Sequence, residues 1–159
     1  MDKAEFVDKF GGCYEHTPWA AFRAWRPDLS TCDQITRAMK TVVEQASPDE
    51  QDALICAHPD LAGKLALAGG LSASSTREQA GAGLDACTEV ELEKFQRLNA
   101  AYKAKFGFPF IIAVKGLERS DILAAFARRL ENDKDEERRT ALAQIHKIAA
   151  FRIRDICHG

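Results

Sequence analysis

The chain has 159 residues, which suffices for one domain with a hydrophobic core and is short for two, so we expect a single domain over 1–159. Its 22 basic and 24 acidic side chains give a net charge of -2, and this balance offers no electrostatic attraction for nucleic acid. The longest strongly apolar run, FPFIIAV at 108–114, is far below the roughly 18 residues that a membrane span needs. We therefore expect no membrane helix.

The ends of the chain and its cysteines indicate the compartment. MDKAEFVDKF at 1–10 is charged from its second residue and does not resemble a secretory signal, so we expect the protein to stay inside the cell. The five cysteines are odd in number, scattered and without a CxxC pair. This pattern favours buried or incidental thiols over a disulfide framework or a zinc cluster.

Helix signals dominate the first third of the chain. Three helical candidates, 4–10, 18–25 and 32–45, lie around the turns GG and RPD. Ser47, Pro48 and Glu50 then form an N-cap, a proline at the first helical position and a capping-box glutamate. The sequence predicts a helix from Pro48 to about His58, where the following proline disfavours helical backbone.

The remaining segments are also helical, with one exception. Thr88 and Glu91 form a capping box before a long amphipathic helix that Gly107 ends, and 120–130 and 142–156 repeat the apolar periodicity. ENDKDEERR at 131–139 alternates in sign as a solvated surface run does. Only FPFIIAV resembles a strand, and a single strand has no partner in a sheet. We predict an all-α, single-domain, multi-helix bundle in which one extended segment at about 107–115 threads the helical core.

Two side chains on apolar helix faces are candidates for chemistry. At about 100° per residue, Arg152 falls on the arc of Ile145 and Ile148, whereas Arg154 points away. An inward arginine either pairs with a structural carboxylate or forms a fork that clamps an anionic ligand. His58 lies on the apolar side of its helix end, where a structural role and proton transfer are both open.

The stretch SASSTREQ at 72–79 contains a further capping box. Ser75 and Glu78 have the spacing of a helix start, which explains both residues without any activity. A capping box does not explain Gln79 or the glycines on both sides of the stretch. Glycines permit a close approach of the main chain to a ligand. We interpret the stretch as a turn that binds a small polar molecule rich in amide-like groups. A metal site from His58, Asp60 and Glu78 matches no standard spacing.

Four motifs, taken together, resemble one enzyme family. They are GGCYEHTPW at 11–19, HPDLAGKLA at 58–66, SSTREQAGAGLD at 74–85 and NAAYKAKFGFPFIIAVKG at 99–116. The sequence resembles 2-oxo-4-hydroxy-4-carboxy-5-ureidoimidazoline (OHCU) decarboxylases, which act in urate breakdown. The resemblance covers nearly the whole chain in order.

The resemblance implies an all-helical, cofactor-free homodimer that converts OHCU to (S)-allantoin with loss of CO2. It places the catalytic histidine on His58 and its acidic partner on Glu78, with no metal. The substrate-binding residues that it implies are Pro59, Ser75, Thr76, Arg77, Glu78, Gln79, Phe110, Ile111, Ile112, Ala113, Val114 and Arg152. The chain ends in CHG instead of the peroxisomal SKL type, so we expect cytoplasmic residence.

Two other functions remain open from the residues. A lyase or hydrolase acting on a related ureide would use the same pocket chemistry and would differ in its product. A non-catalytic helical interaction module would make His58, Glu78 and Arg152 structural and would present an apolar groove.

Overall fold

Helices dominate the part of the chain that the computed structural model describes, residues 1–61 and 73–159. In chain order the α-helices are α1 (Lys3–Phe10), α2 (Trp19–Ala24), α3 (Cys32–Glu44), α4 (Pro48–Cys56), α5 (Ala73–Gly81), α6 (Glu89–Phe106), α7 (Arg119–Arg129) and α8 (Lys134–His158), with a short 3-10 helix at Leu84–Ala86. Neither of these ranges contains a strand. The predicted all-α class is confirmed.

Local side-chain signals set most helix ends. Ser47 and Thr88 cap α4 and α6 through the predicted capping boxes, and Gly107 ends α6 with a φ of 78°. The prediction that α4 reaches about His58 is wrong, because this helix ends at Cys56. His58 therefore lies outside the helix, directly before the proline that disfavours helical backbone.

The segment predicted to be extended lies between α6 and α7 and is not helical. Residues 109–114 have no regular secondary structure, and Phe110 lies at their start with 1% of its surface exposed. Its ring stacks on Phe126 of α7 at a centroid distance of 3.8 Å and meets Tyr102 of α6 edge-on at 5.3 Å. Aromatic packing thus holds the segment against both neighbouring helices.

The described chain divides into two compact units, 1–57 with 145–159, and 58–144. In the first unit, α1 packs on α2 and α2 packs on α3. In the second unit, α6 contacts α7 around the aromatic side chains named above. The expectation of one domain over 1–159 stays a prediction.

A disulfide bond joins Cys32, at the start of α3, to Cys157, near the end of α8. The expectation that the cysteines are all incidental thiols is therefore wrong for this pair. Among the other three, Cys13 is buried, Cys56 is exposed and Cys87 is intermediate. Spacing could not identify the pair, because 125 positions separate the two residues along the chain.

The charged run at 131–139 is not wholly a surface feature. Glu137, in the first turn of α8, is fully buried, and Arg129 of α7 binds it with an N–O distance of 2.9 Å. The prediction that the whole run lies on the surface is wrong for Glu137. A run of mixed charge in a helix can still direct one of its side chains into the core.

None of the helices described within 1–61 and 73–159 has both the length and the apolar character needed to cross a bilayer.

A buried tyrosine and a half-buried histidine are hydrogen-bonded in the first unit. The hydroxyl of Tyr14 lies 2.7 Å from Nδ1 of His146 on α8. Burial, with smaller contributions from the charges of Glu44 and Cys13, raises the pKa of Tyr14 well above its usual value. Its hydroxyl therefore keeps its proton at neutral pH and can donate it to Nδ1 in the tautomer whose ring proton is on Nε2.

We expect the free energy of unfolding to fall as the pH drops from about 7 to 5, partly through His146. Burial lowers the pKa of His146 in the folded state, and Lys40 also lowers it, against an opposing effect of Glu44. The unfolded chain binds the proton more readily, so this stabilisation is complete above the ordinary histidine pKa of about 6.5 and is lost as the pH falls through the folded pKa.

Urea unfolding at pH 5, 6 and 7 tests this expectation with the variant His146→Gln, which keeps an acceptor for Tyr14 and does not titrate. The variant should lose less stability between pH 7 and 5 than the wild type. His158→Gln, at an exposed histidine on the same helix, is the control. Parallel pH profiles for the wild type and His146→Gln would contradict the assignment.

Candidate active site

The first group of predicted site residues follows α4. His58 is buried with 9% of its surface exposed, and Pro59 is half-buried beside it. Two side chains of α6 hold the next residues: Lys103 lies 2.9 Å from the Asp60 carboxylate, and Asn99 donates to the Leu61 carbonyl at 2.9 Å. Side chains of α6 thus hold the residues that follow His58, while His58 itself lies outside any helix. The rest of this motif, 62–66, lies outside the described residues.

The second group lies on α5, and here the structure corrects the capping interpretation. The helix begins at Ala73, so Ser75 is inside it and is not its N-cap. Positions 75, 78 and 79 are separated by three and four residues, which places them on one face. Ser75 and Gln79 are buried, at 5% and 6% exposure, and Glu78 is half-buried.

The other two predicted residues of this turn point elsewhere. Thr76 and Arg77 are both exposed, and Arg77 donates to the hydroxyl of Ser74 at 3.4 Å. At about 100° per residue, Arg77 lies on the arc of α5 opposite Ser75 and Gln79, and Thr76 lies to the side of it. The predicted binding roles of Thr76 and Arg77 stay predictions.

The third group is the segment 110–114. Ile111, Ala113 and Val114 are buried, and Ile112 is half-buried. Side chains bind the main chain on either side of Ile112: Arg129 donates to the Ile111 carbonyl at 2.6 Å, and Gln144 accepts from the Ala113 N–H at 2.9 Å. The main chain of this segment is therefore held in place without a β-partner.

Arg152 belongs to the other compact unit. Helical periodicity correctly predicted its burial, because it is 6% exposed while Arg154 is exposed. Its guanidinium binds the carboxylate of Glu15 at 2.9 Å and lies 3.3 Å from the carbonyl oxygen of Gly12. The arginine fork therefore has a structural carboxylate partner, and its role as a substrate clamp stays a prediction.

Across the described ranges, no cluster of three or more His, Cys, Asp and Glu side chains is arranged to hold a metal ion. His58, Asp60 and Glu78 accordingly form no such cluster there. The Asp60 carboxylate is instead bound to Lys103.

Sequence reasoning missed three charged residues that hold the predicted site groups. Glu15 pairs with Arg152, and Arg129 with its partner Glu137 binds the 110–114 segment. A signal existed for the last two. Arg129 lies three positions after Phe126 on the apolar face of α7, and Glu137 lies eight before Ile145 on that of α8.

Comparisons with known proteins agree on one family. The model of the OHCU decarboxylase family matches residues 1–154. The 2-oxo-4-hydroxy-4-carboxy-5-ureidoimidazoline decarboxylase of Haloferax volcanii is 44% identical over 155 residues, covering 96% of this chain and 89% of that protein. The uric acid degradation bifunctional protein PucL of Bacillus subtilis is 40% identical, covering 98% of this chain and 31% of its own length.

A solved structure has the same fold. The crystal structure of (S)-allantoin synthase matches 98% of this chain and 51% of its own chain, with a TM-score of 0.78 and 33% sequence identity.

Proposed function

The chain belongs to the OHCU decarboxylase family, whose model matches residues 1–154, and we propose that His58, Glu78 and Arg152 carry out the family's reaction in it. The protein is a carboxy-lyase that decarboxylates OHCU to allantoin in urate degradation. The finer proposals concern which residues act, and how.

The polar face of α5 is the observation that supports the proposed site. A polar face made by Ser75, Glu78 and Gln79 is buried or half-buried in the described chain. Helical spacing places the three polar side chains on one side of α5, and this side offers a hydroxyl, a carboxylate and an amide to a polar ligand. Hydroxyl and amide groups match the donors and acceptors of a ureido group.

Loss of CO2 requires a place for an electron pair. The bond between the ring carbon and the carboxylate breaks, CO2 leaves, and the electron pair passes into the conjugated C=N of the OHCU ring. The ring nitrogen takes up a proton, a second proton adds to the ring carbon that bears the ureido group, and the hydroxyl on the neighbouring carbon releases its proton and becomes a carbonyl, so that one proton is consumed overall. The protein has to orient the ring and deliver the carbon-bound proton to one face.

The residue types fit these two tasks. A histidine can donate and accept a proton near neutral pH, and Glu78 would orient its ring and stabilise its charged form. Arg152 would bind an anionic group of the substrate through its fork, and main-chain groups of 110–114 would bind the ring amides. Delivery to one face would make the product (S)-allantoin.

Identification of the products tests the reaction against the alternative of a hydrolase on a related ureide. OHCU would be prepared in situ from urate carrying ¹³C at the carbon that becomes the carboxylate. NMR should show one equivalent of labelled CO2 or bicarbonate and unlabelled allantoin. Label retained in an organic product, with release of ammonia or urea, would establish a hydrolase and refute the decarboxylase.

Homodimer formation, which rests on the family resemblance, and cytoplasmic residence remain proposals.

A further inference from the structure

A buried ion pair in the second compact unit lies outside the residues assigned to the reaction. Arg129 of α7 binds Glu137 of α8 through Nε at 3.0 Å and Nη2 at 2.9 Å. The side chain of Glu137 is fully buried, and that of Arg129 is 11% exposed. Both ions are thus taken out of water, which costs several kcal/mol per ion before their attraction is counted.

The carboxylate of Glu137 is saturated with donors. Tyr102 and Asn132 donate to it in addition to Arg129. Burial acts to raise the pKa of Glu137, but the hydrogen bonds from Arg129, Tyr102 and Asn132 outweigh it and the pKa is lowered. Glu137 is therefore ionised at neutral pH and fixes the plane of the guanidinium that it binds.

The third guanidinium nitrogen of Arg129, Nη1, is directed at the 110–114 segment. Nη1 donates to the Ile111 carbonyl at 2.6 Å, and the guanidinium lies 4.3 Å from the centre of the Phe110 ring. Gln144, two turns after Glu137 on the same helix, accepts from the Ala113 N–H at 2.9 Å. One arginine and one glutamine thus bind two main-chain groups of a segment that has no helical hydrogen bonds.

These two bonds leave the main-chain groups of Ile112 available. Arg129 binds the C=O of Ile111 and Gln144 binds the N–H of Ala113, so the residues on either side of Ile112 are held. Within 1–61 and 73–159, no residue hydrogen-bonds to the N–H or C=O of Ile112 itself.

Stability alone does not require this ion pair. Apolar residues of the same volume often stabilise a core as well as a buried pair does. They cannot, however, donate a hydrogen bond to the Ile111 carbonyl. That bond is what the charged pair supplies and an apolar pair would not.

We propose that Arg129, oriented by Glu137 and assisted by Gln144, is a positioning residue that fixes the 110–114 main chain so that the N–H and C=O of Ile112 can bind the amide groups of the substrate. This inference rests on the proposed function for the role of the segment. Arg129 itself would not contact the substrate.

The test compares Arg129→Lys with Arg128→Lys, the same substitution at an exposed neighbour. Lysine keeps the charge but is a single point donor, so it cannot bind Glu137 and the Ile111 carbonyl with one planar fork. Hydrogen exchange of the 108–115 peptide should speed up at least about tenfold in Arg129→Lys, since the local opening free energy falls. The KM for OHCU should rise at least about tenfold with kcat within about threefold, because positioning is lost and the proton-transfer groups remain.

Gln144→Leu provides a second test that retains the buried charges. It removes the acceptor for the Ala113 N–H from a half-buried position. Gln144→Leu should also speed up hydrogen exchange of the 108–115 peptide and raise the KM for OHCU. The proposal therefore stays testable if Arg129→Lys does not fold. Arg128→Lys should match the wild type in both measurements.

Several results would overturn the inference. Faster exchange with an unchanged KM would mean that Arg129 stabilises the 110–114 segment without affecting substrate binding. Unchanged exchange in folded Arg129→Lys would mean that Arg129 does not hold the segment in place. A wild-type protein that does not decarboxylate OHCU would refute the proposed function and the substrate role together. The exchange measurement would then still decide whether Arg129 holds the segment.

Discussion

Replacing His58 with asparagine is expected to lower kcat for OHCU decarboxylation by about 100- to 10,000-fold, the range that a general acid or base contributes. Asparagine keeps the approximate size and a hydrogen-bonding group but cannot take up or release a proton near neutral pH. Because His58 lies in a connection after α4 and is not part of a helix, the fold should survive the change. The KM should change little, since substrate binding is assigned to other residues.

His158→Asn is the matched control, because it makes the same substitution at an exposed position. Steady-state kinetics would be combined with far-ultraviolet circular dichroism to confirm folding. A His58→Asn enzyme that still turns over near the wild-type rate and gives a single enantiomer would exclude His58 from the proton step.

Replacing Arg152 with leucine is expected to cost about 3–5 kcal/mol of unfolding free energy, since it removes one partner of a buried ion pair. The two side chains are 6% and 1% exposed and lie 2.9 Å apart. This loss says nothing about the substrate, because a purely structural pair would give the same result. Denaturant unfolding measures it directly.

The double variant Arg152→Leu with Glu15→Leu separates the two roles. Removing both charges should restore most of the stability, as it does for other buried pairs replaced by apolar residues. If Arg152 also binds an anionic group of the substrate, KM should stay raised by about 10- to 100-fold, since such a bond is worth about 1.5–3 kcal/mol. A stable double variant with the wild-type KM would show that Arg152 serves only to neutralise Glu15.

Helical periodicity predicted much of the fold and part of the site. The apolar residues of α8 were enough to place Arg152 inside and Arg154 outside. Capping chemistry gave the starts of α4 and α6, because those signals act between residues three apart in the chain. Each of these features is decided locally.

The failures arose where one sequence pattern fits more than one arrangement. Ser75 and Glu78 have the spacing of a helix start, yet the same spacing also joins neighbours on the face of a helix already formed, and the structure has the second arrangement. The charges around Glu137 favour a surface position, whereas the residue is buried against Arg129, eight positions before it, and Tyr102, 35 positions before it. Periodicity could have found Glu137, because positions 137, 141, 145, 149 and 153 are all buried at steps of four.

The optical activity of the product tests the central claim most directly. OHCU would be generated in situ from urate with urate oxidase and hydroxyisourate hydrolase, and allantoin would be followed by circular dichroism with and without the wild-type protein. We predict that (S)-allantoin accumulates at a rate proportional to the amount of protein added. A signal whose rate and handedness do not respond to the protein would contradict the decarboxylase assignment for this chain.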